Sequence, residues 1–316
     1  MRKFLNFLCI TCFVLLANQV WATTNEIVVV QSSTLEPYEQ ARLAFERQWG
    51  ISHPHTGVKS IMVHPIDYYL LSSADSEIKL KQTLAVNPPA LLVAIGSQAL
   101  AWCRDYRQLP VVYLMTPNPQ KIIGQSKKIT GIDMNILPSR QLAAVKAALP
   151  KVNTIGALYN PKQTGYWVQE ALLSDVGDVQ TMVFRKISKA TDFQWTLDSL
   201  GRSLNAYWML PDQLVATPQT IKFLLNYSLQ NQIPIITFSE KYLAMGAAVA
   251  VTFSIDDMGA QAAEMCARIL GGVPVKSIEV EHPRRVRVIA NLTVLEKMGV
   301  AVNRDALTDI FKPEHN

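Results

Sequence analysis

Ile129-Thr130-Gly131-Ile132-Asp133 is the stretch that decides how this chain folds, once its flanks are read with it. Before it stand two apolar runs with polar tips. Leu91-Leu92-Val93-Ala94-Ile95 leads into Gly96-Ser97-Gln98, and Leu109-Pro110-Val111-Val112-Tyr113-Leu114 into Thr116-Pro117-Asn118-Pro119. After it, Leu142, Val145 and Leu149 recur at helical spacing over 138–149, followed by Ile155-Gly156-Ala157-Leu158-Tyr159-Asn160-Pro161. Short continuous apolar runs alternating with helical patterns are the mark of parallel strands covered on both faces. Open α/β sheets hold their ligands outside the carboxyl ends of such strands. Small polar residues at successive tips, with no equipped catalyst among them, point to a protein that grips a small molecule rather than transforms it.

Worked outward, the alternation continues along the whole chain and predicts an α/β fold of two Rossmann-like lobes with parallel sheets. Strands are expected at 27–30, 58–63, 91–95, 111–114, 154–159, 181–184, 206–210, 233–237 and 247–253. Helices are expected at 38–49, 73–85 (with Ile78, Thr83 and Leu84 inward), 138–149, 166–173, 193–203, 218–230 and 258–270. The last ends at Gly271-Gly272, as a helix C-cap should. Strand–helix patterning returns after Gly246, so the chain is expected to revisit its first lobe. The expected division is 23–134 plus about 247–280 for lobe 1, and 135–246 plus about 281–316 for lobe 2. Three crossover strands would join them.

The first residues suggest export. Arg2 and Lys3 precede an apolar run over 4–17, and Val20-Trp21-Ala22 places small residues at the −3 and −1 positions. This is the pattern of a signal peptide over 1–22, cleaved after Ala22. The run falls short of the about 20 residues that span a bilayer, and Cys12 lacks the lipobox residues of a lipoprotein. A soluble periplasmic protein is therefore expected. Arg2 and Lys3 supply two of the formal +5 charges, leaving a balance too mild for nucleic acid. The cluster Arg284-Arg285-Val286-Arg287 is read as a solvated strand edge.

No Walker loop, GxGxxG, HExxH, GxSxG or CxxC pair occurs after residue 22. No metal site and no cofactor are expected: His53, His55 and His64 form a local group without a scaffolded third or fourth ligand. Asp256-Asp257 are expected to start a helix, where their charge offsets its positive end. Cys103 and Cys266 fall in expected helices; a single bridge between them is left open.

The candidate ligand site is the set of strand tips. Ser32, Ser33, Gly96, Ser97, Gln98 and Thr116 open helices or turns whose free N–H groups and hydroxyls suit a carboxylate. Asp133 ends the opening stretch. Tyr159, Asn160, Asp212 and Ser239 lie at tips of the second lobe, with Asp212 placed to take an ammonium. An α-amino acid carries both charges. The competing reading is that the Ser and Thr are ordinary helix caps and Asp212 an Asx turn.

The order of these segments resembles the substrate-binding proteins of ABC transporters related to the tryptophan/tyrosine-binding group, of the type I periplasmic binding protein fold. The resemblance rests on Val93-Ala94-Ile95-Gly96, Ile129-Thr130-Gly131-Ile132, Ile155 to Pro161, Pro211-Asp212 and Ile233-Pro234. It is densest in Met258-Gly259-Ala260-Gln261-Ala262-Ala263-Glu264-Met265, Ile269-Leu270-Gly271-Gly272-Val273-Pro274 and Asn291-Leu292. It implies a small-molecule ligand in the cleft between lobes and an inner-membrane ABC permease as partner. A monomer is expected, and no enzymatic activity, since no nucleophile–base pair or metal set can be assembled from the residues. Departures fall at the tips: Ser97-Gln98-Ala99 for Thr-Pro-Ala, Asn118-Pro119 for Asp-Pro, Asp133-Met134 for Ser-Asp, and Lys162-Gln163-Thr164-Gly165 for Glu-x-Asn-Ser. The implied scaffold is kept while the contacts change, so an aromatic amino acid remains the first ligand class. The alternative is a periplasmic sensor subunit that signals to a membrane receptor or kinase.

Overall fold

The computed structural model describes residues 27–52, 66–174, 181–200 and 204–312. The expected signal peptide, the strand expected at 58–63 and the three histidines His53, His55 and His64 lie outside them. The described chain falls into two compact units, Met1–Gly131 with Gly259–Val280 and Ile132–Met258 with Glu281–Asn316.

The first unit is a five-stranded sheet in the order β2-β1-β3-β4-β5, with every pair parallel. Its strands are β1 (Ile27–Gln31), β2 (Ile66–Leu70), β3 (Leu91–Ile95), β4 (Val111–Leu114) and β5 (Ile129–Gly131). Between them run α1 (Glu36–Ser52), α2 (Ala74–Val86), α3 (Ser97–Arg104) and α4 (Gln120–Ile123). All of β1, β3 and β4 are buried, which is why they read as unbroken apolar runs. Each fully buried Val, Leu or Ile stabilises the fold by about 1.5–3 kcal/mol. Gly131 of the opening stretch lies opposite Tyr113 in the β4–β5 register. A Cβ there would meet the Tyr113 carbonyl and come within 2.7 Å of its ring. Only glycine lets that buried ring sit over the neighbouring strand.

The second unit is a seven-stranded sheet ordered β12-β11-β10-β9-β8-β6-β7. Its strands are β6 (Thr154–Tyr159), β7 (Thr181–Lys186), β8 (Ala206–Trp208), β9 (Ile235–Thr237), β10 (Val249–Phe253), β11 (Val286–Ala290) and β12 (Asp309–Ile310). Only β10 with β11 is antiparallel. The helices are α5 (Pro138–Ala148), α6 (Pro161–Leu173), α7 (Phe193–Ser199), α8 (Pro218–Asn231) and α10 (Leu292–Lys297). Strand alternation sorts its apolar residues into two cores. Ile155, Ala157, Trp208 and Val249 pack with Leu142 and Val145 of α5, while Leu158, Tyr207 and Ala250 pack with Phe193 of α7 and Leu224 of α8. Helix α8 is started by a reciprocal Thr217–Thr220 capping box with Pro218 in its first turn.

Helix α9 (Ile255–Leu270) begins in the second unit and continues in the first. Within the first unit, a Cβ on Gly259 would strike the Ala41 carbonyl and come within 2.8 Å of Ala44 Cβ, so α9 packs backbone to backbone on α1. Asp256 and Asp257 open α9 as expected. Both oxygens of Asp257 accept from Arg284 Nε at 3.1 Å, and Arg287 pairs with Glu240 at 2.9 Å.

Several expectations are corrected. The strand expected at 247–253 in lobe 1 belongs instead to the second unit, where β10 is hydrogen-bonded between β9 and β11. A central apolar strand carries no mark of which sheet it joins. In α2 the inward residues are Leu80 and Leu84, four positions apart, and Ile78 is exposed. Helix α6 starts at Pro161 rather than near residue 166. The arginine cluster is ion-paired rather than merely solvated. Cys103 and Cys266 are both free and buried, and burial pushes both thiols up.

Candidate functional site

Each sheet contains the same topological break. In the first unit the chain turns outward on both sides of β1, so β1 and β3 are neighbours whose following helices leave in opposite directions; the crevice there is the usual ligand position. Ser32 and Gly96 sit at those two tips. Ser32 is buried, its Oγ donating to the Ile95 carbonyl at 3.0 Å and accepting the Ala99 N–H at 2.9 Å. It thus ties β1 to the first turn of α3. Gly96 precedes α3 with φ +89°, and a Cβ there would stand 2.6 Å from Ser32 Oγ and 2.8 Å from the Tyr38 ring. The glycine lets α3 start tight against β1. With no side-chain cap and the Ala99 amide taken by Ser32, the amides of Ser97 and Gln98 have no acceptor inside the helix. They carry the positive end of its dipole.

Gln31, the last residue of β1, is fully buried. Its Nε2 donates to the Ser33 carbonyl at 2.6 Å and to Glu39 Oε1 at 2.7 Å, while its Oε1 is buried without a partner. The Arg42 guanidinium, 2.7 Å from Glu39, holds that carboxyl below its ordinary range against the opposing effect of burial. At the β4 tip Thr116 is buried and its Oγ1 donates to the Leu114 carbonyl at 3.3 Å. Its flanks Met115 (φ 54°) and Asn118 (φ 49°) take left-handed backbone, an arrangement that costs energy in residues other than glycine and concentrates at functional loops.

In the second unit the equivalent break lies between β6 and β8, whose tips carry Asn160 and Asp212. Asp212 is fully buried, and its oxygens are engaged within the chain. Oδ2 accepts the Asn160 N–H at 2.7 Å and the Thr164 hydroxyl at 2.6 Å, and Oδ1 accepts the Leu214 N–H at 2.9 Å. Asn160 caps α6 through Lys162 N at 3.0 Å, and its carbonyl takes the amides of Gln163 and Thr164. With Pro161 lacking an N–H, the start of α6 is saturated. The Asx-turn reading of Asp212 fits this geometry, with an added tie across the β6–β8 break that sequence spacing does not reveal. Tyr159 is buried edge-on to Phe184 at 6.5 Å. Ser239 is half-buried and precedes a short turn of helix at Glu240–Tyr242 without capping it.

Asp133 belongs to neither tip set. It is buried where the chain leaves β5, its N–H donating to the Glu281 carbonyl and its Oδ1 bonded to His282 Nδ1 at 2.9 Å and to Asn135 N at 3.0 Å. That carboxylate draws the His282 imidazole above its ordinary value, against burial. The structure thus gathers Ser32, Ser33, Gly96, Ser97 and Gln98 at one break and Asn160 with Asp212 at the other. Sequence reading passed over Gln31 and Thr164; the former was visible as a lone amide ending an apolar strand.

Comparison with known proteins agrees with this architecture. The ligand-free, open structure of a substrate-binding protein with adhesive properties from Clostridium difficile superposes with a TM-score of 0.66 at 18% identity, covering 91% of this chain and 99% of that one. A Streptococcus pneumonia ABC domain in complex with L-Trp gives 0.52 at 17% identity, covering 90% and 99%. A conserved domain protein from Vibrio cholerae gives 0.52 at 19% identity, covering 91% and 100%. No curated protein matches. At these identities the likeness is one of fold, that of type I periplasmic binding proteins. The sequence model for ABC transporter substrate binding proteins, however, matches residues 55–312, and by that span the chain belongs to the ABC transporter substrate-binding protein family.

Proposed function

We propose that this chain is an exported, monomeric solute-binding protein that takes a small carboxylate-bearing organic molecule, amino-acid-like and aromatic, and presents it to an ABC permease of the inner membrane. The observation that carries the reading is the start of α3. Two amides, of Ser97 and Gln98, stand without intrahelical acceptors at the β1–β3 break, while the corresponding start of α6 is closed by Asn160 and Pro161. Helix starts of this kind are ready anion sites. The unpaired Gln31 Oε1 at the same tip supports a ligand that also carries a donor, as an ammonium does. Asp212 is assigned a positioning role, holding the β6 and β8 tips together, in place of the ammonium contact. Among the described residues no group of His, Cys, Asp and Glu could hold a metal ion, and no helix is long and apolar enough to cross a membrane.

A calorimetric and thermal-shift panel tests the proposal. L-Trp, L-Tyr, other L-amino acids and short carboxylic acids are compared with the matching amines that lack a carboxylate. A true ligand at 100 times its Kd adds about 2.7 kcal/mol of stability. Stabilisation by carboxylate-bearing solutes but not by their decarboxylated counterparts is expected. A panel in which no carboxylate shifts the unfolding midpoint overturns the reading.

A further inference from the structure

At the opposite end of the first unit's sheet, where β4 and β5 begin, a pocket of about 450 Å³ opens. Its lining includes four cations, Arg104, Arg107, Lys127 and Lys128, against a single acid, Asp105, with Ile123 among its walls. Two of the cations are held in place. Arg104 donates to the Ile122 carbonyl at 3.2 Å and to Asp105 at 3.3 Å, and Lys128 Nζ donates to the Gln108 carbonyl at 2.9 Å. The main chain of Lys128 is itself fixed, its carbonyl accepting the Val111 N–H at 2.9 Å beside β4.

Part of this charge is accounted for by the fold. Helix α3 ends at Arg104 and α4 at Ile123, and helix C-termini attract cations to offset roughly half a negative charge each. Two C-termini call for about one positive charge, which Arg104 and the partial charge of its neighbours provide. The four cations less the one acid leave three, and with about one taken up by the helix ends a surplus of about two remains. Arg107 and Lys127 lie beyond both helices and are exposed, and neither forms an ion pair with another described residue. Charge concentrated in a concavity in excess of what the fold uses attracts an anion of more than one charge. A guanidinium fork matches the oxygen geometry of a phosphate, and ammonium groups beside it add positive charge.

We propose that this pocket is a phosphate-binding site, distinct from the strand-tip site at the other end of the same sheet. Its ligand is a phosphorylated group, carried either by a free solute or by an anionic lipid headgroup. Nothing in the proposal depends on the carboxylate-binding reading.

The experiment uses the chain with its first 22 residues removed, and two probes in low-salt buffer. Inorganic pyrophosphate is titrated by calorimetry, and vesicles of equal parts phosphatidylglycerol and phosphatidylcholine are assayed by co-flotation, with pure phosphatidylcholine as control. At least one probe is expected to bind, more weakly as salt rises. In the double variant Arg107→Glu/Lys127→Glu that affinity should fall by at least about tenfold, as reversal of close charges does at other interfaces. Arg107→Gln/Lys127→Gln, with a smaller charge change, guards against misfolding and should lose affinity in the same direction. Binding of pyrophosphate identifies a free phosphate, and binding confined to phosphatidylglycerol vesicles identifies a headgroup; either supports the site. Failure of both probes, equal binding to phosphatidylcholine alone, or unchanged affinity in both variants overturns it.

Discussion

The carboxylate of Asp212 lies 2.7 Å from the backbone nitrogen of Asn160, so the tip of β8 holds the tip of β6 through a residue 52 positions away in sequence. The same oxygen takes the Thr164 hydroxyl, and the other takes the Leu214 amide. Asp212→Ala leaves these donors without an acceptor in a buried place. Since each buried group stripped of its partner costs about 1–3 kcal/mol, the variant should lose at least about 2 kcal/mol in urea unfolding. A loss within the roughly 0.5 kcal/mol of a surface substitution would show that the tie contributes nothing.

Ser97→Pro, compared with Ser97→Ala to account for the lost hydroxyl, tests the backbone N–H of the α3 anion site. Proline is well tolerated at the first position of a helix, where it deletes only an N–H that has no intrahelical acceptor. The fold should hold. Affinity for a carboxylate ligand should fall by about 10- to 100-fold, in line with about 1.5–3 kcal/mol for a hydrogen bond to a charged group. Unchanged affinity, measured by calorimetry, places the carboxylate elsewhere.

Gly259→Ala addresses the contact of α9 with α1. The added methyl has the Ala41 carbonyl, Ala44 Cβ and Phe45 N in its path, and two of these are backbone atoms that cannot rotate away. Overpacking of this kind typically costs about 1–3 kcal/mol, despite the better helix propensity of alanine. Gly50→Ala, inside α1 with nothing within 4 Å of the added methyl, is the control for propensity alone. Thermal melts of the two variants should separate clearly; coincident melts would refute a tight α1–α9 contact.

His282 gives a pH dependence of known sign. The Asp133 carboxylate raises its folded-state pKa, with burial and Arg140 acting in the opposite direction. The contribution is therefore complete below the unfolded value of about 6.5 and fades as pH rises through the higher folded value. The stability gap between wild type and His282→Gln should be widest near pH 5.5 and narrow towards pH 8.5. A gap that is flat or widens with pH, in denaturant titrations across that range, would contradict the pair.

Much of the fold was legible because its central strands are covered on both faces. An unbroken run such as Leu91 to Ile95, bounded by polar residues, is too short for an ordinary helix and too apolar for a surface loop. The edges were less so: β2, half-buried except for the exposed Tyr68, shows Asp67 and two tyrosines where a strand pattern would alternate cleanly. The start of α6 was written in Asn160-Pro161, an N-cap followed by proline, but Lys162 to Gly165 has the composition of a loop and masked it. The strand tips were legible as a group, since polar residues ending apolar runs mark them. What each tip residue does was not. Ser32 and Asp212 both look like ligand groups until the amides they serve, Ala99 at 67 positions and Asn160 at 52, come to them in space.

The seating of α9 on α1 also bears on how the protein is made. All five strands of the first sheet are complete at Gly131, yet the part of α9 that packs on Ala41 and Ala44, and the carbonyls of Ile278 and Glu279 that receive the Thr130 hydroxyl, come after residue 258. At roughly 5–20 residues per second of synthesis, the 149 residues from Gly131 to Val280 take on the order of 10–30 s to appear. During that interval the nascent first unit has a sheet without one of its covering helices. The first half of the chain therefore receives its last packing partners only when about nine-tenths of the sequence has been made, so its assembly is tied to completion of the second half.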